Sequence, residues 1–309
     1  MQETYQRGPN PLSQLLIAIG IVLINIYIFN MFSQWIGLKL FDADVAVLLQ
    51  NGLFNELTTN EINAIRFSQF FTSFGGFIMS SFVIMQVFQQ NPWEYMRLNK
   101  VPSTKFVLLG VVLFISLMPA VQQLLEWNTS WASNIKGSFM QVFNDLEKQN
   151  NRMYELLLKG NIGYMIGVNL TVLALIPAIG EELYFRGILY RIFENWTGKR
   201  HAAVWLTSFL FALIHFQIFK LLPMALLAGI FAYLLFFSDS LWLGIGLHFL
   251  NNAMVVVAHA LQQSGVQYDW LKEDYSFPIV VVIVSTIIGL GTFYYLYKNQ
   301  ENNGQELGD

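Results

Sequence analysis

Apolar residues gather into eight windows of roughly 17 to 25 residues, each long enough to cross a bilayer as a helix. They fall at 12–35, 67–89, 105–123, 163–179 with an extension, 202–219, 221–237, 241–262 and 277–297. The pattern predicts an all-α, polytopic integral membrane protein of about eight transmembrane helices, with 1–309 forming a single membrane domain. The first window is longer than a signal-peptide core and no small-residue cleavage site follows it, so it reads as a retained span. Only Lys220 separates the fifth and sixth windows, which suggests a tight hairpin around Pro223.

Two connections are long. The stretch 36–66 carries Asp42, Asp44, Glu56 and Glu61, and 126–161 contains an amphipathic segment, 139–158, suited to the membrane surface. The last residues, 299–309, are polar and read as a disordered tail.

Composition strengthens this picture. Charged residues make up 12% of the chain, about half of what a soluble domain carries, and the mean hydropathy is +0.47. A net charge of −3 offers no basic patch for nucleic acid. The absence of cysteine excludes disulfides, thiolate metal sites and a cysteine nucleophile. Lys and Arg nearly balance across the loops, but Arg97, Lys100 and Lys105 crowd one short loop and Arg191, Lys199 and Arg200 another. Short flanks weigh most in the positive-inside rule, so both termini are expected in the cytoplasm of a cell-membrane protein.

Against so little charge, polar groups inside the spans stand out, because each ionisable one costs about 2.5 to 3.5 kcal/mol to insert. Glu181, Glu182 and Arg186 end the fourth window; His215 lies in the fifth; His248 and Asn252 lie in the seventh. On a helix, Glu182 and Arg186 are four apart and can pair, leaving Glu181 turned about 100° away and free. His248 and Asn252 share one helical face. If the fourth helix continues past Pro177 and leaves the membrane near Asn195, Glu181 lies about 21 Å deep at 1.5 Å per residue. His215 is equally deep counted from His201, and His248 and Asn252 lie about 12 to 18 Å from the same face. All four groups can meet in one cavity.

The trio Glu-Glu-x-x-x-Arg, Phe-x-x-x-His and His-x-x-x-Asn on separate spans resembles the CPBP (Abi) family, which includes the type II CAAX prenyl endopeptidases. The resemblance covers the core 161–262. It implies an intramembrane endopeptidase acting on a membrane-associated peptide or protein, with release of the last three residues where the substrate is a lipidated CAAX protein. It further implies that Glu181 and His215 activate water, that His248 and Asn252 stabilise an oxyanion, and that Glu182 and Arg186 support the site. Peptide hydrolysis needs a base on the water and donors where carbonyl charge develops, so these residue types suit the task. Zinc held by His215, His248 and Glu181 is the metal alternative, while a glutamate base needs no ion, and the metal-free reading is preferred.

Blander readings exist for each part. An isolated Glu–Arg pair is often structural, and His or Asn in a span often joins helices. A non-catalytic scaffold or bacteriocin-immunity protein of the same fold is the main alternative, and a secondary transporter a further one. No His-Glu-x-x-His zinc motif and no nucleotide-binding loop occurs.

Overall fold

The computed structural model describes residues 9–43, 57–158, 162–266, 268 and 275–305. Asp44, Glu56 and the last four residues, 306–309, lie outside them. The described residues are helical throughout their regular structure, with no strand. The long helices are α1 (Pro11–Leu40), α2 (Thr59–Val87), α3 (Thr104–Ser133), α4 (Ser138–Leu158), α5 (Gly163–Thr197), α6 (Arg200–Ile214), α7 (Leu221–Ser238), α8 (Leu241–Gln263) and α9 (Ile279–Gln305). Seven of them, all but α4 and α6, are long and apolar enough to cross a bilayer. The chain is an all-helical polytopic membrane protein, and each of the eight apolar windows coincides with a helix.

Three expectations need correction. The fifth window does not make a full span: α6 has 15 residues, about 22 Å at 1.5 Å per residue. His215 therefore caps the end of α6 and does not sit within a helix. Pro223 is not at the turn either. A short 3-10 segment, Ile218–Lys220, makes the connection, and Pro223 occupies the first turn of α7, where its missing N–H breaks no helical bond. Finally, α9 runs to Gln305, so 299–305 continues the last helix and is not a disordered tail.

Polar and small residues bring the spans together. Asn25 donates to Ser80 Oγ at 2.9 Å between α1 and α2, as expected of amides in lipid. A Cβ on Gly75 would lie 2.0 Å from Phe29 Cγ, and one on Gly180 would lie 2.8 Å from Phe77 Cβ. These two glycines let α1, and then α5, come close against α2. Where α2 and α5 meet, the backbone widens into π-helical turns, at Phe74–Met79 in α2 and at Leu170–Leu175 and Glu182–Leu189 in α5. The second precedes Pro177, which cannot donate to Leu173, and Ile176 N–H reaches back five residues to Thr171. Widened turns of this kind often accompany functional sites.

The amphipathic α4 is tied down at both its end and its middle. Arg66 donates from Nη2 and Nε to the Leu157 carbonyl at 2.6 and 3.1 Å, and Gln263 donates to the Leu158 carbonyl at 3.3 Å. A cation at a helix C-terminus also complements the helix dipole. Glu147 pairs with Lys220 at 3.4 Å, next to the α6–α7 connection.

That connection is held by side chains of α3, Asn128 above all. Asn128 of α3, fully buried, donates to the Ile218 carbonyl and accepts from Leu222 N–H, both at 2.8 Å. Replacing Asn128 by Ala leaves two partly buried backbone groups without this partner. The expected loss is about 2 kcal/mol or more of stability, read by thermal unfolding in detergent, with His215 displaced alongside.

Candidate active site

A cavity of about 310 Å³ opens among α2, α5, α6, α7 and α8, and Glu181, His215, His248 and Asn252 all line it. The sequence reading placed these four at similar depth, and the structure brings them together. Tyr154 from α4 also reaches the cavity, so the amphipathic helix lies at its edge.

Beneath the cavity is a buried ionic core. Glu182 and Arg186, both fully buried, pair at 2.9 Å, as the four-residue spacing predicts. Arg186 Nη2 also donates to the Ala228 carbonyl at 2.9 Å. Its guanidinium lies 4.9 Å from the Phe211 ring centroid and 5.7 Å from that of Phe231, within cation–π range. These contacts compensate a charge that would otherwise be too costly to bury.

Sequence reasoning missed the next link. Glu182 Oε1 also accepts from His248 Nδ1 at 2.8 Å, and Phe231 stacks on the His248 ring at 5.3 Å and 21°. The orientation of His248 is thus set by a residue 66 positions away and by an aromatic plane. A carboxylate can only accept, so Nδ1 carries a proton and Nε2 is directed elsewhere. Glu181 Oε2 is 3.7 Å from that Nε2. The two adjacent glutamates therefore separate in role: Glu182 is committed to Arg186 and His248, and Glu181 faces the cavity.

His215 is held in a comparable way. Its Nδ1 lies 2.6 Å from the Phe211 carbonyl, one turn back at the end of α6. A carbonyl only accepts, so Nδ1–H donates and the lone pair of Nε2 remains for another partner. Asn251 Nδ2 donates to Asn252 Oδ1 at 3.2 Å, which leaves the Asn252 NH₂ group for the cavity. Gly244 makes room for this arrangement, since a Cβ there would lie 3.1 Å from Glu182 Oε2.

Among the described residues no group of three or more His, Asp or Glu side chains is arranged to hold a metal ion. The set His215, His248 and Glu181 does not fit zinc as it is placed, and no step below passes through a metal. His259, at the far end of α8, contacts Gln263 at 2.9 Å and does not line the cavity. Tyr184 and Tyr190 are buried in the apolar core.

The fold and the site define a class: a multi-pass membrane protein with titratable side chains from three helices gathered in a cavity between its spans. Within the chain, residues 164–254 match the family model described as type II CAAX prenyl endopeptidase Rce1-like. The matched stretch contains Glu181, Glu182, Arg186, His215, His248 and Asn252, and the resemblance drawn from the three motifs holds over it. No curated protein and no solved structure matches the chain.

Proposed function

We propose that the protein is an intramembrane endopeptidase that hydrolyses a peptide bond of a membrane-associated substrate, using a water activated by Glu181 and His215. The observation that carries this reading is the meeting of Glu181, His215, His248 and Asn252 in one cavity with Glu182 and Arg186 locked beneath it. Glu181 is not held by Arg186, and its one ionic neighbour, His248 Nε2, stands 3.7 Å off, so its carboxylate can take a proton from water, while His215 Nε2 accepts the second hydrogen of that water and orients it. The oxygen attacks the scissile carbonyl carbon, and the electron pair of the C=O bond moves onto the carbonyl oxygen.

That oxyanion needs donors. Asn252 supplies its NH₂ group. His248, whose Nδ1 is held by Glu182, turns Nε2 towards Glu181 and serves as the second donor when a proton is carried there. Arg186, Glu182, His248 and Glu181 then sum to zero charge, which suits a site surrounded by lipid. The oxyanion collapses, the C–N bond breaks, and the proton taken by Glu181 passes to the leaving nitrogen. This chemistry needs no ion.

The substrate class follows from the CPBP-like motifs and the Rce1-like match: a peptide or protein at the membrane, of the CAAX type if lipidated. The decisive assay is cleavage of a fluorogenic lipidated peptide by purified protein, with and without a chelator. Turnover that survives prolonged chelation supports the metal-free mechanism. Turnover that stops on chelation and returns with zinc overturns it, and no turnover by the wild type favours a scaffold.

We further propose that the protein resides in the cell membrane with both termini cytoplasmic, on the strength of the basic short loops, with α6 and the 215–220 connection together making the eighth crossing. The cysteine-free chain makes this easy to check. A single cysteine at Gly198, in the exposed turn between α5 and α6, should be protected from an impermeant maleimide in whole cells. One at Gly137, before α4, should be labelled. The reverse pattern would invert the topology.

A further inference from the structure

We infer that Gln69 and Ser73 of α2 dock the peptide backbone of the substrate. This inference rests on the hydrolase reading above and adds a binding wall outside the stretch 164–254. Both side chains line the cavity that holds Glu181, His215, His248 and Asn252. They are four residues apart and therefore on one face of α2, with Gln69 Nε2 donating to Ser73 Oγ at 3.4 Å.

An extended chain entering this cavity exchanges water for protein around every amide. Each backbone N–H or C=O left unpaired costs about 1 to 3 kcal/mol. The wall must therefore offer both donors and acceptors, and a glutamine amide offers both in one plane, matched to a peptide unit. Ser73 Oγ, one turn on, can donate or accept. Gln217 and Asn251 contribute further neutral polar groups from the α6–α7 connection and α8 respectively. Among the described residues no Lys or Arg lines the cavity, so it offers a bound chain hydrogen bonds and not a counter-cation.

A purely structural role fits Gln69 poorly. Side chains that join helices reach across to another helix, as Asn25 does to Ser80. The contact of Gln69 with Ser73 is local to α2, and a long span has little use for a weak bond between its own side chains. Gln69 is also exposed, and Phe77, two turns beyond it, lines the same cavity.

The test uses full-length protein carrying Gln69→Met, an isostere without the amide, or Ser73→Ala. Against a fluorogenic peptide, KM should rise about five- to tenfold in each variant while kcat stays within about twofold, the signature of lost ground-state and transition-state binding alike. A series of substrates with single backbone esters should identify one position where the ester weakens wild-type binding and no longer matters in Gln69→Met. A change in packing alone would not remove that dependence. KM unchanged in both variants, or an ester penalty that persists in Gln69→Met, overturns the inference. If the wild type cleaves nothing, the hydrolase reading fails separately. Photo-crosslinking of the same peptide to Glu181→Gln protein, with and without Gln69→Met, then decides the docking role without turnover. Loss of the crosslink with Gln69→Met supports it and equal yields overturn it.

Discussion

Glu181→Gln should lower peptide hydrolysis by about three orders of magnitude or more while leaving the fold intact. The magnitude is that of a general base, typically 10²- to 10⁴-fold, together with loss of a charge near the water. The fold should survive because the side chain is neither deeply buried nor tightly bound. It is 14% exposed and its nearest ionic neighbour, His248 Nε2, is 3.7 Å away, while glutamine keeps its shape. The informative contrast is Glu182→Gln. That carboxylate is fully buried and serves both Arg186 and His248, so its replacement should reduce stability as well as rate. Measured rates and unfolding temperatures for the two neighbours should therefore separate. Glu181→Gln with activity within tenfold of wild type would show that another group activates the water.

Arg186→Met is expected to be the most destabilising single change in the site, by about 3 to 5 kcal/mol, the usual consequence of leaving one member of a buried ion pair alone. The side chain is fully buried, and its loss removes the bond to Ala228 and the packing on Phe211 and Phe231 as well as the counter-charge to Glu182. The test is a double-mutant cycle in detergent. Adding Glu182→Gln to Arg186→Met removes the orphaned charge and should recover a large part of the loss, because the two residues act as a pair. Additive effects would mean that the pair contributes separately to the fold, and the view of Glu182–Arg186 as one unit would fall.

Much of this architecture is legible from local pattern. The eight apolar windows mark every long apolar helix, since lipid demands blocks of apolar residues whatever the packing. The Glu182–Arg186 pair follows from helical spacing alone, and the agreement in depth of Glu181, His215, His248 and Asn252 follows from counting residues. What is not legible depends on contacts between helices. Nothing in the sequence links Glu182 to His248, places Phe231 against the imidazole, or lets Asn128 hold the connection after His215. The end of α6 is also hidden. The window 202–219 stays apolar past Ile214, and only the tertiary bonds from Asn128 and Thr129 to the carbonyls of Ile218 and Phe219 explain how the helix can stop. Gln69 and Ser73 are two polar residues in a greasy helix, and only the cavity gives them meaning.

The brevity of α6 bears on a problem that any hydrolase in lipid must solve, the supply of its second reactant. Fifteen residues reach about 22 Å, against an oily layer of about 30 Å, and the missing distance falls just where His215 ends the helix. Non-helical backbone at that depth is tolerated only where it is enclosed by protein or meets an aqueous recess. The remaining distance, about 8 Å or one and a half turns of helix, lies beside the cavity that His215 lines, and lengthening α6 through it is expected to slow hydrolysis by hindering access of water before any acid or base is altered.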